Sequence, residues 1–185
     1  MRFQISDFRV QSSDFRLLMA VAFLTAWVAG GVVRAETLDR VMAVVAGQII
    51  TLTDVVAARD LGLETPGNAA DPNRGVLSKL IDRELILAEV ERYAPPEPTT
   101  DAVDDEVATV RTRFASQAAL DAALARSGID ERHLRETLRQ DLRIRAYLGQ
   151  RFNSTDEDRR QALIDEWLAG LRRRADVIDL YSAPR

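Results

Sequence analysis

The chain after Leu38 opens with two short apolar runs and then changes to a helical period. Val41 to Val45 is apolar and mostly β-branched, Ala46-Gly47 supplies the small, permissive pair of a tight turn, and Gln48 to Thr51 reads as a returning strand. Thr51 or Thr53 then caps a first helix over Leu52 to Leu61, where Asp54 sits at the positive end of the dipole and Gly62 supplies a left-handed stop. Leu63 to Asn73 carries two prolines and several small polar residues and reads as a mobile loop. Gly75 to Tyr93 sets Leu77, Ile81, Leu85 and Ala88 on one line with Leu80, Leu87 and Val90 beside it, which predicts a central helix with a wide apolar face. Pro95, Pro96 and Pro98 end it.

The second half is helical throughout. Thr100 opens a helix with Val103, Val107, Val110 and Phe114 in a narrow stripe, and Ser116 caps a shorter one bearing Ala119, Leu120, Ala123 and Leu124. Ser127-Gly128 stops it, and Asp130 caps the next, which carries Leu134, Leu138, Leu142, Tyr147 and Leu148. After Asn153-Ser154, Thr155 and Asp158 suggest a capping box for a last helix with Leu163, Ile164, Trp167, Leu168 and Leu171. Asp176 to Tyr181 returns to a strand-like run. A two-stranded hairpin is marginal in water, so this far segment is expected to pair with it as a third strand. The expected fold is mostly α within the α+β class: a helical bundle, its core spanning about residues 52–152, closed by a small sheet and a C-terminal helix and strand over 155–181.

Ahead of all this, Leu17 to Val33 is apolar except for Thr25, follows Arg16, and ends in Val33-Arg34-Ala35. That is the pattern of an export signal cleaved after Ala35, giving residues 1–35 as leader and 36–185 as one domain. An uncleaved N-terminal membrane anchor is the alternative, since the run is only slightly short of a spanning helix. Without the leader no further membrane span is expected. Removing it takes away four arginines and two aspartates, so the formal charge moves from −4 to −6. An acidic domain argues against nucleic acid as the main partner. The chain has no cysteine, hence neither a disulfide framework nor a thiolate metal site.

Candidate chemistry is sparse. His133 is the one imidazole and stands in the first turn of a helix, flanked by Arg132 and Glu131, a place that suits capping or solvation better than acid-base work without an orienting partner. A single imidazole does not make a zinc site. Asp104, Asp105 and Glu106 are consecutive on a helix, point different ways, and complement the dipole near Thr100 rather than pairing for hydrolysis. Arg135, Arg139 and Arg143 share a face at four-residue spacing, but Glu131 to Arg135 and Asp141 to Arg145 read as pairs on a salt-bridged, solvent-facing side. Arg83-Glu84, inside the most apolar helix, reads as a structural ion pair. No nucleophile elbow and no phosphate loop occurs, so no catalytic residue, cofactor or metal ligand is assigned and no enzyme activity is expected.

One run carries a family likeness. Asp39, Val41, Ala43, Val44, Val45, Gly47, Ile50, Thr51 and Asp54 follow the hairpin pattern that opens the N-terminal domain of SurA-like periplasmic chaperones and isomerases. The resemblance continues through Val76 to Arg92, Phe114 to Gly128 and Leu134 to Phe152. It implies a periplasmic chaperone module whose C-terminal helix and strand pack back on the hairpin. The family's parvulin domain would fall between Phe152 and Thr155, where there is no room for it, so prolyl isomerase activity is not carried over. The expected function is an ATP-independent holdase for unfolded or extended exported polypeptides, outer-membrane proteins among them. Val103, Val107, Val110, Phe114 and Leu120 are the expected client surface. The same stripe packed against Leu138 is the alternative, and a structural adaptor that docks one envelope partner, or a homodimer, is the rival function.

Overall fold

The computed structural model describes residues 39–182, which fold into six helices and three strands. The expected leader, 1–35, lies outside the described residues. The strands are β1 (Val41–Val45), β2 (Gln48–Thr51) and β3 (Val177–Asp179). The helices are α1 (Leu52–Asp60), α2 (Pro72–Tyr93), α3 (Thr100–Arg111), α4 (Gln117–Ser127), α5 (Glu131–Arg151) and α6 (Glu157–Arg174). The protein is therefore mostly helical with one small antiparallel sheet, as the pattern predicts.

The sheet runs β2-β1-β3, so the two ends of the described chain meet on β1. Ala46 and Gly47 both have positive φ, 50° and 84°, the twist that a two-residue hairpin turn demands. Val44 lies opposite Ile49 on one side and opposite Ile178 on the other. The Ala46 N–H donates to the Asp176 carbonyl and the Leu180 N–H to the Met42 carbonyl, so the even-numbered residues of β1 aim their backbone groups at β3. Val44 and Ile49 are consequently a pair without mutual hydrogen bonds, and the Ile49 N–H and C=O face away from the sheet. Among the described residues β2 is thus a free edge.

Beyond β3, the Tyr181 hydroxyl donates to Asp71 at 2.5 Å while Asp71 also accepts from the N–H groups of Asn73 and Arg74 as the cap of α2. The tyrosine's hydrogen bond is the main cause that holds the Asp71 carboxyl below its ordinary range. Arg40 and Arg74 flank the Tyr181 ring, each 5.9 Å from its centre. Arg172 on α6 binds Asp82 and Ser78 of α2, so the C-terminal helix is tied to the central one as well.

Two cores share α1 as a wall. The first joins the inner side of the sheet to α1 and α2 through Met42, Val45, Ile50, Val55, Val76 and Leu77, with Leu171 from α6. The second joins α1, α3, α4 and α5 through Leu61, Val107, Val110, Leu120, Leu134 and Leu138. A smaller cluster of Ile86, Val90, Ile144 and Tyr147 lies between α2 and α5, with Trp167 of α6 against it. Ser116, Asp130 and Thr51 cap their helices as expected, and Thr51 with Asp54 forms a reciprocal box.

Three local expectations are corrected. The loop expected to run to Asn73 ends at Asp71, because Pro72 suits the first turn of α2, where its missing N–H has no partner to lose. Its first residue, Leu63, packs against both cores, and Gly75 admits the Pro66 carbonyl, which a Cβ there would strike. The last helix is capped by Asp156, which accepts from the Arg159 N–H; Thr155 and Asp158 form no box. Leu163, expected on its apolar face, is exposed because only the second half of α6 reaches α2.

Candidate functional site

The expected client surface is occupied by the protein itself. Val103, Val107, Val110 and Leu120 are all buried, and Phe114 is half-buried. Val107, Val110, Leu120 and Phe114 meet Leu134 and Leu138 of α5 in the second core, so the stripe is interior rather than open surface. The physical reason is the short α4. It folds back after the turn at 112–116, places Leu120, Ala123 and Leu124 over α1, and leaves α3 to cover α5. The alternative packing against Leu138 is the one observed.

The charged candidates are structural ties. Arg135 binds Asp104 and approaches Glu131 at 3.9 Å, whereas Arg145 pairs with Glu106 rather than Asp141. Arg139 binds Glu97 and Glu136. Arg143 is not on a solvent face: its side chain is 8% exposed and binds Glu91 and Glu97, which fastens the proline-rich connection after α2 onto α5. Asp105 makes no ion pair among the described residues. Arg83 donates to Glu84, Asp141, Gln140 and the Thr137 carbonyl, spanning from α2 to α5. Its pairing with Glu84 is structural, as its position in an apolar helix suggests.

An open cleft lies beside that bridge. It measures about 580 Å³ and runs between β2, α1, α2 and α5. Its floor is apolar: Ile50 from the sheet, Ala57 and Ala58 from α1, Leu80 and Leu87 from α2, and Ile129 ahead of α5. Ala57, Ala58 and Ala88 are small, so facing helices leave a gap where larger side chains would close it. Ile49, 59% exposed, stands at the mouth on the free edge of β2.

The rim is acidic. Asp54, Glu84, Glu91 and Glu136 line the cleft together with Arg83 and His133. Tracing their ion pairs outward adds Glu97, Asp141, Arg139 and Arg143, a network of five carboxylates against three arginines, with Asp54 beside it. Burial, the largest influence, raises the Glu84 carboxyl above its ordinary value; Arg83 opposes this, and the nearby charges of Asp54 and Asp141 add to it. Glu136 moves the other way, lowered chiefly by the hydrogen bond from Arg139. His133 is exposed, its Nε2 4.0 Å from Asp54, too far for a hydrogen bond, while its own N–H is the one that Asp130 caps.

Chemically, this arrangement can hold an apolar chain of limited width and favour positive charge at its border. Among the described residues no group of three or more metal-ligating side chains is found, and no helix is long and apolar enough to cross a membrane. The cleft residues carried one sequence cue that a stripe search passes over, the small Ala57-Ala58 of α1 and Ala88 on the leucine-rich α2. No protein-family model matches this chain, and no curated protein is significantly similar to it.

Proposed function

We propose that this chain is an ATP-independent holdase of the SurA-like kind, exported to the periplasm, that shields extended segments of unfolded exported polypeptides, outer-membrane proteins among them. It acts without prolyl isomerase activity. The observation that carries the reading is the cleft: an apolar floor between β2, α1, α2 and α5, beside a sheet edge that offers backbone groups unused by the described residues. Such a site suits weak, sequence-tolerant contact, because apolar burial is non-directional and main-chain hydrogen bonds are common to every client. The hairpin, helical body and returning strand also follow the order that the family likeness implies.

The test is suppression of aggregation. Protein in molar excess over a urea-unfolded outer-membrane barrel is expected to slow the rise in light scattering on dilution, with no dependence on nucleotide. Unchanged scattering at every ratio would remove the proposal.

A second reading has its own observation. Ile49, Val44 and Ile178 form one row across the outer side of the sheet, and Ile178 and Leu180 are about half exposed. A face of that kind suits a dedicated partner or a second copy. A stable dimer in light scattering, lost in Ile178→Glu and without binding to assorted unfolded chains, would favour this adaptor over the holdase.

A further inference from the structure

We infer that the cleft takes its occupant as an added strand: an extended polypeptide segment that pairs with the free edge of β2 at Ile49 and carries a basic side chain toward Glu84. This rests on the holdase reading and specifies its chemistry.

Three independent features converge on one occupant. The hydrogen-bond pattern of β1 leaves the Ile49 N–H and C=O directed outward, and no described residue bonds to them. Those groups lie at the mouth of the cleft, since Gln48, Ile49 and Ile50 all line it. An edge strand with free groups is a template for another extended chain, and the turn at Ala46-Gly47 together with the capping box at Thr51 limits the pairing to the short stretch between them. The added chain would therefore gain only a few main-chain bonds, in keeping with clients that must leave again.

Alternation then sets the side chains. In a strand beside β2, every second residue points to the side of Ile50 and enters the cleft, while those between face solvent. The floor of Ala57, Ala58, Leu80 and Leu87 accepts a medium-sized apolar group. The next inward position reaches the acidic border, where five carboxylates outnumber the three arginines they pair with and the half-buried Glu84 shares Arg83 with Asp141. A lysine or arginine there supplies the missing positive charge, whereas an acidic residue is repelled. The recognised segment thus has apolar and basic residues at alternate positions and is indifferent to the residues between.

The experiment uses the full chain and a fluorescein-labelled peptide with valine, lysine and valine at alternate positions and serine between. Anisotropy is expected to report saturable binding that weakens with salt. N-methylation of the backbone in one alternating phase should weaken it about tenfold, and in the other phase leave it unchanged, because only one phase faces β2. Ile49→Pro, which removes an N–H that the fold itself does not use, should match the methylated peptide while keeping the wild-type urea midpoint. Replacing lysine by norleucine should remove the salt dependence, and replacing it by glutamate should abolish binding.

Equal effects of both methylation phases, or wild-type affinity in Ile49→Pro, would overturn strand addition while leaving a chaperone that binds by side chains alone. Binding that is blind to the lysine would overturn the charge assignment. If neither this peptide nor an unfolded barrel binds, the holdase reading and this inference fall together.

Discussion

The stripe on α3 and the cleft between α1, α2 and α5 are both apolar surfaces of helical period, yet one is sealed and the other open. The stripe carries valines at intervals of four and three residues, and α4 and α5 supply Leu120, Leu134 and Leu138 to fill the spaces between them. The cleft has leucines as well, but its facing positions are alanines, and the sheet edge that forms its mouth has no fourth strand among the described residues. Large side chains meeting large side chains make a core. Leucine meeting alanine across a gap leaves a site. What separates core from site is thus the size of the opposing residue rather than the hydrophobicity of either face.

The strongest way to break this contrast is to truncate both surfaces alike. Leu120 is 1% exposed and sits at the centre of the sealed core. Leu120→Ala is expected to cost about 2–5 kcal/mol, transfer and cavity together, and to lower the urea midpoint without changing the slope. Client retention by the fraction still folded should be unaltered. Loss of retention with an unchanged midpoint would instead make the α3–α4 layer part of the binding surface.

How far each region was legible follows from the same distinction. The hairpin and most caps and helix ends were readable because they depend on neighbours in sequence: Ala46-Gly47 can make its turn, and Ser116, Gly128 and Asp130 can punctuate their helices, wherever those segments dock. The pairing of β3 with β1 was legible only because a lone hairpin lacks support. Whether Val107 faces solvent or Leu138 depends on where α4 folds back, which no periodicity encodes. Arg143 shows the same limit. Its spacing matches Arg135 and Arg139, but the proline-rich segment lays its own Glu97 over Arg143 and helps to bury it. The cleft was missed because alanines in a helix look like ordinary helix formers until the opposing face is known.

A smaller effect concerns the acidic border, where the cleft departs from a true core by holding charge. Glu84 titrates above the ordinary glutamate value because it is buried, so its folded pKa exceeds its unfolded one. The folded state then binds that proton more tightly, and the associated stability is present at low pH and lost as pH rises through the folded pKa. Glu136 and Asp71, shifted down, act oppositely and lose their contribution as pH falls. The two directions are separated by comparing wild type with Glu84→Gln. Between neutral pH and the ordinary value near 4.5, wild type should gain stability relative to the glutamine variant as pH falls. Parallel stability curves in urea titrations across that window would mean that Glu84 is not held in a buried, charge-crowded place.

The finest test returns to matched truncation, on the open side. Ile49 is 59% exposed, its side chain points away from the core, and its backbone groups are not used by β1. Removing its methyl groups therefore opens no cavity, and Ile49→Ala should stay within about 0.5 kcal/mol of wild-type stability. A client strand paired with β2, however, would set one of its solvent-side residues directly beside that side chain and cover part of it. Losing part of this burial is expected to weaken peptide binding by about fivefold, near the 1 kcal/mol of a buried methylene. Leu120→Ala and Ile49→Ala would then separate completely, one changing the midpoint and sparing retention, the other sparing the midpoint and changing affinity. An Ile49→Ala variant that binds as tightly as wild type would place the client deeper, on Leu80 and Leu87, and leave the edge of β2 without a role in apolar contact.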